Sequence, residues 1–107
     1  MLEADVSAVT SDGLEMQMAD FFKVLGCASR IHILRILLRG ETSVGELARE
    51  LGLSSSSVSH QMQILKASKL VRKRRVGKTI LYTLASDTVQ SMIDSSIKYA
   101  EAQFLSR

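Results

Sequence analysis

One cysteine in 107 residues excludes a disulfide framework and any zinc site of the multi-cysteine kind. Proline and tryptophan are absent, and three phenylalanines and two tyrosines are the whole aromatic inventory. Few aromatics, six glycines and no proline suit a helix-rich fold and argue against a sandwich of many turns. No apolar run approaches the ~20 residues that span a bilayer. The longest, Ile31 to Leu38, is interrupted by His32 and Arg35. The N-terminal stretch lacks the basic region of a secretion signal, so a cytoplasmic protein without membrane contact is expected. No Ser-His-acid or paired-carboxylate arrangement has support, so neither an enzyme nor a cofactor is expected.

Charge of one sign is missing from two long stretches. Met1 to Phe22 holds five acids (Glu3, Asp5, Asp12, Glu15, Asp20) and no base. Leu51 to Ser86 holds seven bases (Lys66, Lys69, Arg72, Lys73, Arg74, Arg75, Lys78) and no acid. The formal net charge of +3 therefore hides an acidic head and a basic middle. Solvated faces usually mix signs, so the basic stretch points to an anionic partner. A chain of this length makes one domain with a thin core, which burial in an oligomer would supplement.

What is present is helical periodicity punctuated by glycine. Residues 1–11 read as a flexible acidic arm, and residues 12–107 as a single domain. A first helix, capped by Ser11 or Asp12, carries Leu14, Met18, Phe21, Phe22 and Leu25 on one stripe up to Gly26. Ser29 is the expected cap of a second, with Ile31, Leu34, Leu37 and Leu38 inward. Ser43 and Glu46 make a capping box for a short third helix with Val44, Leu47, Ala48 and Leu51 inward, ended by Gly52. Only Leu53 separates that glycine from Ser54, the cap of a fourth helix with Val58, Met62 and Leu65 inward. The period then changes to strand-like runs, Leu70–Arg75 and Thr79–Leu84, around Val76-Gly77-Lys78. Ser86 or Asp87 caps a last helix with the stripe Val89, Ile93, Ile97, Ala100 and Phe104. A short helix, a tight turn, a second helix and a basic hairpin make a winged helix-turn-helix, mainly α with a β-hairpin wing.

The exposed face of the fourth helix comprises Ser54, Ser55, Ser56, Ser57, Ser59, His60, Gln61, Gln63 and Lys66. A surface built for helix stability alone favours Glu, Lys and Ala. This face is instead short, acid-free and rich in donors and acceptors, which suits the base edges of a major groove. In the hairpin, Arg74, Arg75 and Lys78 lie nearest the tip and are the expected phosphate or minor-groove contacts. Arg72 or Lys73 is expected to pair back onto the domain. The bland counterpart is a solvated helix with a multi-serine cap and an edge strand protected by charge. Together, helix and hairpin favour double-stranded DNA.

Thr42-Ser43-Val44-Gly45-Glu46-Leu47-Ala48, Leu53 to Met62 with Val58-Ser59-His60 at its centre, and the basic wing from Arg74 to Tyr82 resemble the ArsR/SmtB family. Leu25-Gly26-Cys27-Ala28-Ser29-Arg30 with Ile33-Leu34 is similar to that family's entry into its second helix. The resemblance covers roughly residues 19–86 and implies a homodimeric repressor that binds a palindromic operator and leaves it when an effector binds. The first and last helices would form the dimer interface, through Leu14, Met18, Phe21, Phe22, Val89, Ile93, Ile97 and Phe104.

The inducer sites of that family do not carry over. Where one family metal site has a Cys-x-Cys, this chain has Ser43 and Gly45; where a second has an acid and a His, it has Asp87 and Val89, with Ala100 and Gln103 at the far positions. No metal is expected at either, because zinc or a thiophilic metal needs three or four N, S or O ligands. Cys27 reads as core filling ahead of a redox-reactive thiol, and His32 as structural. Three rivals stay open: a metal-responsive repressor using His32 or Cys27 with acids of the terminal helices, a winged-helix protein-interaction module, and an RNA-binding winged helix. The effector's chemistry is not written in the sequence.

Overall fold

The structure, a computed structural model, describes residues 13–105. The expected arm over residues 1–11, and both expected caps of the first helix, lie outside them. The elements are α1 (Leu14–Leu25), α2 (Ala28–Leu38), β1 (Thr42–Ser43), α3 (Val44–Leu51), α4 (Ser55–Ala67), β2 (Val71–Val76), β3 (Thr79–Leu84) and α5 (Asp87–Ala100). The chain continues from α5 into one wider, π-type turn, Glu101–Leu105. The strands form an antiparallel sheet in the order β1-β3-β2.

Local chemistry sets most of the boundaries. The Ser43 hydroxyl accepts the Glu46 N–H (3.2 Å), and the Glu46 carboxylate accepts the Ser43 N–H (3.2 Å), closing the capping box that starts α3. Gly52 ends that helix with φ at 68°, the left-handed conformation that a β-carbon disfavours. Ser54 accepts the Ser57 N–H at 3.1 Å and starts α4 two residues later. At the far end of α4, the Leu70 N–H reaches the Leu65 carbonyl and the Lys69 N–H the Lys66 carbonyl, a Schellman closure with Lys69 at φ 61°. Leu65 and Leu70 are both buried, so the same closure aims the chain into β2. Ser86 caps α5 by accepting the Val89 N–H.

The buried core draws on every helix except α1, whose Phe21, Val24 and Leu25 pack against it half-buried. Ile33 and Leu34 of α2, Leu47 of α3, and Val58, Met62 and Leu65 of α4 are sealed from solvent, with Leu70, Val71, Tyr82 and Leu84 of the sheet and Ile93 of α5 around them. Three expectations need correction. α2 begins at Ala28 with Cys27 in the cap position, so Ser29 lies inside the helix. Its buried face is Ile33, Leu34, Ile36 and Leu37, while Ile31 is exposed. The reason is that α2 packs against α1, α5 and β3 together, which widens and turns its inward face. α1 starts at Leu14, with Gly13 in the cap position.

β1 was not legible as a strand. Thr42 and Ser43 pair with Tyr82 and Leu81, so the residues that cap α3 also extend the wing sheet inward. The buried Thr42 hydroxyl donates to Glu46 at 3.1 Å. The Glu46 carboxyl is held below its ordinary value, first by the Ser43 N–H and then by the Thr42 and Ser43 hydroxyls. A carboxyl depressed in the folded state gives stability that is whole above the unfolded value and is lost as pH falls through the folded one. Urea unfolding followed from neutral to acid pH should therefore show a steeper acid-side loss in the wild type than in Glu46→Gln. The glutamine keeps the capping box but carries no titration.

Candidate nucleic-acid interface

The inward stripe Val58, Met62, Leu65 leaves the opposite face of α4 to solvent. Ser54 to Ser57, His60, Gln63 and Lys66 are exposed, and Ser59 is half-buried. The four N-terminal serines are not equivalent. Ser54 is committed to the cap, its oxygen 3.1 Å from the Ser57 N–H and 3.0 Å from the Ser57 hydroxyl. Among the described residues Ser55 has no side-chain hydrogen bond, and Ser56 only a 3.2 Å contact with the Ser54 hydroxyl. The helix thus presents Ser55, Ser56, His60 and Gln63 outward.

Gln61 departs from the expected role. It is half-buried, and its Oε1 accepts a 2.9 Å hydrogen bond from Arg30 Nε, while Arg30 Nη1 donates to the Val24 carbonyl at 3.1 Å. Bidentate recognition of adenine needs both the oxygen and the amide of a glutamine. Here the oxygen already accepts from α2, which ties the Gln61 side chain to the helix's mounting.

In the wing, β2 and β3 run from Val71↔Leu84 to Val76↔Thr79, closed by Gly77 and Lys78. Gly77 has φ 62°, as the first position of a two-residue hairpin turn demands. Every β2 residue after Val71 is exposed. Strand alternation sorts the bases, and Arg74 is the one that turns back. Its Nε and Nη2 meet both Glu41 carboxylate oxygens, at 2.5 and 2.7 Å. That bidentate pair holds the Glu41 carboxyl below its ordinary value. The expectation that Arg72 or Lys73 pairs back was therefore wrong in its residue, because the partner, Glu41, lies before β1 and reaches the sheet only through the unforeseen strand. Arg75 donates from Nε to the Gly77 carbonyl (2.9 Å), across the tip. Arg75 and Lys78 remain at the tip without an acidic partner among the described residues.

α1 and the end of α5 form a second face. No residue of α1 is buried; Leu14, Met18 and Phe22 (59% exposed) face outward, and Phe21 packs edge-on to Phe22. Phe104 is 70% exposed, Val89 and Ile97 are half-buried, and Ile93, at 6%, belongs to the chain's own core. Phe22, Leu25, Ile31, Ile97 and Phe104 line an open apolar groove of about 530 Å³.

The family model described as bacterial regulatory protein, arsR family, matches residues 27–73. A transcriptional repressor SmtB homolog of Synechocystis sp. is 42% identical over 76 residues, 71% of this chain and 58% of that protein's length. The HTH-type transcriptional regulator Rv0081 of Mycobacterium tuberculosis is 36% identical over 84 residues, 78% of this chain and 74% of its own. Its crystal structure superposes with a TM-score of 0.80, covering 89% of this chain and 95% of that one. A solution structure of the homodimeric winged helix-turn-helix DNA-binding domain of Mb0332 from Mycobacterium bovis gives 0.82 at 30% identity, covering 89% and 91%. The chain belongs to the ArsR family.

Metal ligation of the kind some ArsR proteins use does not fit the residues present. Ser43 is spent as the α3 cap, Gly45 has no ligand atom, and Val89 is a half-buried hydrocarbon. Among the described residues no cluster of three or more His, Cys, Asp or Glu could hold an ion. His32 is exposed, not a core residue. Cys27 is half-buried at the α1–α2 corner and is not part of the core. The N–H groups of Arg30 and, less, Ser29 face the thiol and lower its pKa against the opposing effect of burial, with a further contribution from the Arg30 charge. No described helix is long and apolar enough to cross a membrane.

The Glu41–Arg74 pair can be tested as a restraint on the wing. Glu41→Gln frees a guanidinium on a strand already rich in bases. Binding to random duplex should tighten, and the dependence of log K on log salt should steepen by about one unit, as one added phosphate contact requires. Titrations of wild type and variant across a salt series measure both.

Proposed function

We propose that the protein is a homodimeric, sequence-specific DNA-binding transcriptional repressor that occupies a palindromic operator and leaves it when an effector binds. The single observation that carries the DNA reading is the acid-free face of α4, with Ser55, Ser56, His60 and Gln63 outward, set beside a wing whose tip holds Arg75 and Lys78. The α4 side chains are short and can both donate and accept, so the helix can approach base edges closely. The wing side chains are long and cationic, which suits phosphate at a position just beyond the groove. Helix insertion with flanking backbone contact is the docking mode of the helix-turn-helix class.

The dimer reading rests on α1, a twelve-residue helix with no buried residue, and on the exposed end of α5. A two-fold pairing of these faces buries Leu14, Met18, Phe22 and Phe104 and sets two copies of α4 about one DNA turn, ~34 Å, apart. Half-site symmetry in the operator follows from symmetry in the protein.

A gel shift with the DNA flanking the protein's own gene, against duplex RNA and scrambled DNA, is the primary test. Preference for one duplex DNA supports the reading; equal binding to RNA, or no nucleic-acid binding, overturns it. The two groups of contacts should fail differently. Ser56→Ala or His60→Ala should cost about 1–3 kcal/mol on the selected site and little on scrambled DNA. Arg75→Ala or Lys78→Ala should weaken both and reduce the salt slope by about one.

The interface residues divide the same way. Phe22→Glu combined with Phe104→Glu should give a folded monomer by sedimentation and circular dichroism, because both rings are exposed in the single chain. Ile93→Glu should instead unfold the chain, since it buries an unpaired carboxylate in the core.

A further inference from the structure

The side chain of Arg30 joins three helices. It leaves α2 and donates from Nε to Gln61 Oε1 in the middle of α4 (2.9 Å), and from Nη1 to the Val24 carbonyl in the last turn of α1 (3.1 Å). The Val24 carbonyl is among the last four of its helix, which have no partner within it, and a cation there also complements the helix dipole. Arg30 and Gln61 are both half-buried, and Arg30 makes no ion pair with a described acid. A planar guanidinium can send hydrogen bonds in two fixed directions at once, which a lysine ammonium on a flexible stem does not reproduce.

The other forces on α4 are of a different kind. Val58, Met62 and Leu65 fix its depth and choose its inward face, but apolar contact is non-directional and leaves the last degrees of rotation about the helix axis to directional bonds. A roll of about 10° at a side-chain radius of about 5–6 Å moves an outward atom by about 1 Å. A hydrogen bond to a base edge tolerates only a few tenths of an ångström. Gln61 is the half-buried residue next to the exposed His60, so a tether at Gln61 acts where roll matters most.

We infer that Arg30 is a positioning residue for DNA recognition: through Gln61 it sets the roll of α4, and with it the aim of Ser56 and His60, while touching no DNA itself. This inference rests on the DNA-binding reading above. It makes Arg30 and Gln61 a unit, so that losing either is equivalent to losing both.

The test is a double-mutant cycle of Arg30→Ala, Gln61→Ala and the combined variant on the full-length protein. Its probe is a duplex selected by the wild type from a random-sequence library, and the reference is a scrambled duplex of equal composition. Each single variant should lower the selected-to-scrambled affinity ratio by about tenfold, and the pair by about tenfold again in total, not a hundredfold. Arg30→Lys, which keeps the charge and loses the fork, should lose the same ratio, and salt slopes should stay at the wild-type value. Additive losses, an unchanged ratio in Arg30→Ala, or full retention by Arg30→Lys overturns the inference. Amide hydrogen exchange on the DNA-free protein separates this from failure of the DNA reading. Arg30→Ala should speed exchange across residues 58–63 and leave residues 44–51 unchanged. Unchanged exchange in residues 58–63 overturns the tether whatever the protein binds.

Discussion

The burial of Val58, Met62 and Leu65 against Ile33, Leu34 and Leu47 is the constraint on which the rest of the molecule depends. Those three α4 residues stand at i, i+4 and i+7, one stripe of a 3.6-residue helix, and all three are fully buried. At about 1.5–3 kcal/mol for each fully buried side chain, no arrangement of surface serines and glutamines can outweigh that preference. The outward face is therefore fixed by subtraction. Whatever reads a ligand on α4 must be drawn from the residues the core rejected, and those are serines, His60, Gln63 and Lys66, with no acid among them.

Polar tethers then decide what the basic residues are for. Seven bases crowd residues 51–86, but charge alone does not distinguish a ligand contact from a strut. Arg74 is a strut because Glu41 meets it with two oxygens, and Arg30, outside that stretch, is a strut because Gln61 and Val24 each accept one of its N–H groups. Exposed ion pairs such as Arg74–Glu41 add little to stability. Their effect is geometric: a paired guanidinium is held in one direction, and an unpaired one such as Arg75 at the wing tip keeps its charge available to phosphate.

The periodic parts of the fold were legible because local signals agreed with each other. Ser43 with Glu46, Gly52, Ser54, Ser86 and the Gly77 turn each encode a boundary in side-chain or backbone chemistry that acts within four residues. What stayed hidden is what depends on residues far apart in sequence. β1 is two residues long and exists only because β3 lies beside it. Arg30 and Gln61 are 31 positions apart and Arg74 and Glu41 are 33 apart, so neither pairing leaves a periodic trace. The α2 face turned for the same reason, being set by three neighbours at once. Ile93 looked like an interface residue because the α5 stripe is continuous in sequence, while its packing changes along the helix from core to open groove.

The position of α1 links these layers. Its outward face, Leu14, Met18 and Phe22, is not covered by any other described residue, and at its C-terminal end the Val24 carbonyl is held by the same guanidinium that holds α4. A homodimer formed through α1, as proposed, would lie one side chain away from the helix proposed to read DNA. Arg30 donates to α4 at 2.9 Å and to α1 at 3.1 Å, both within the ordinary hydrogen-bond range, so the one side chain bridges the two helices. If α1 forms the seam, as proposed, Arg30 is the side chain that ties that seam to α4. The two helices that the proposed reading assigns to pairing and to DNA therefore share one polar contact, at Arg30.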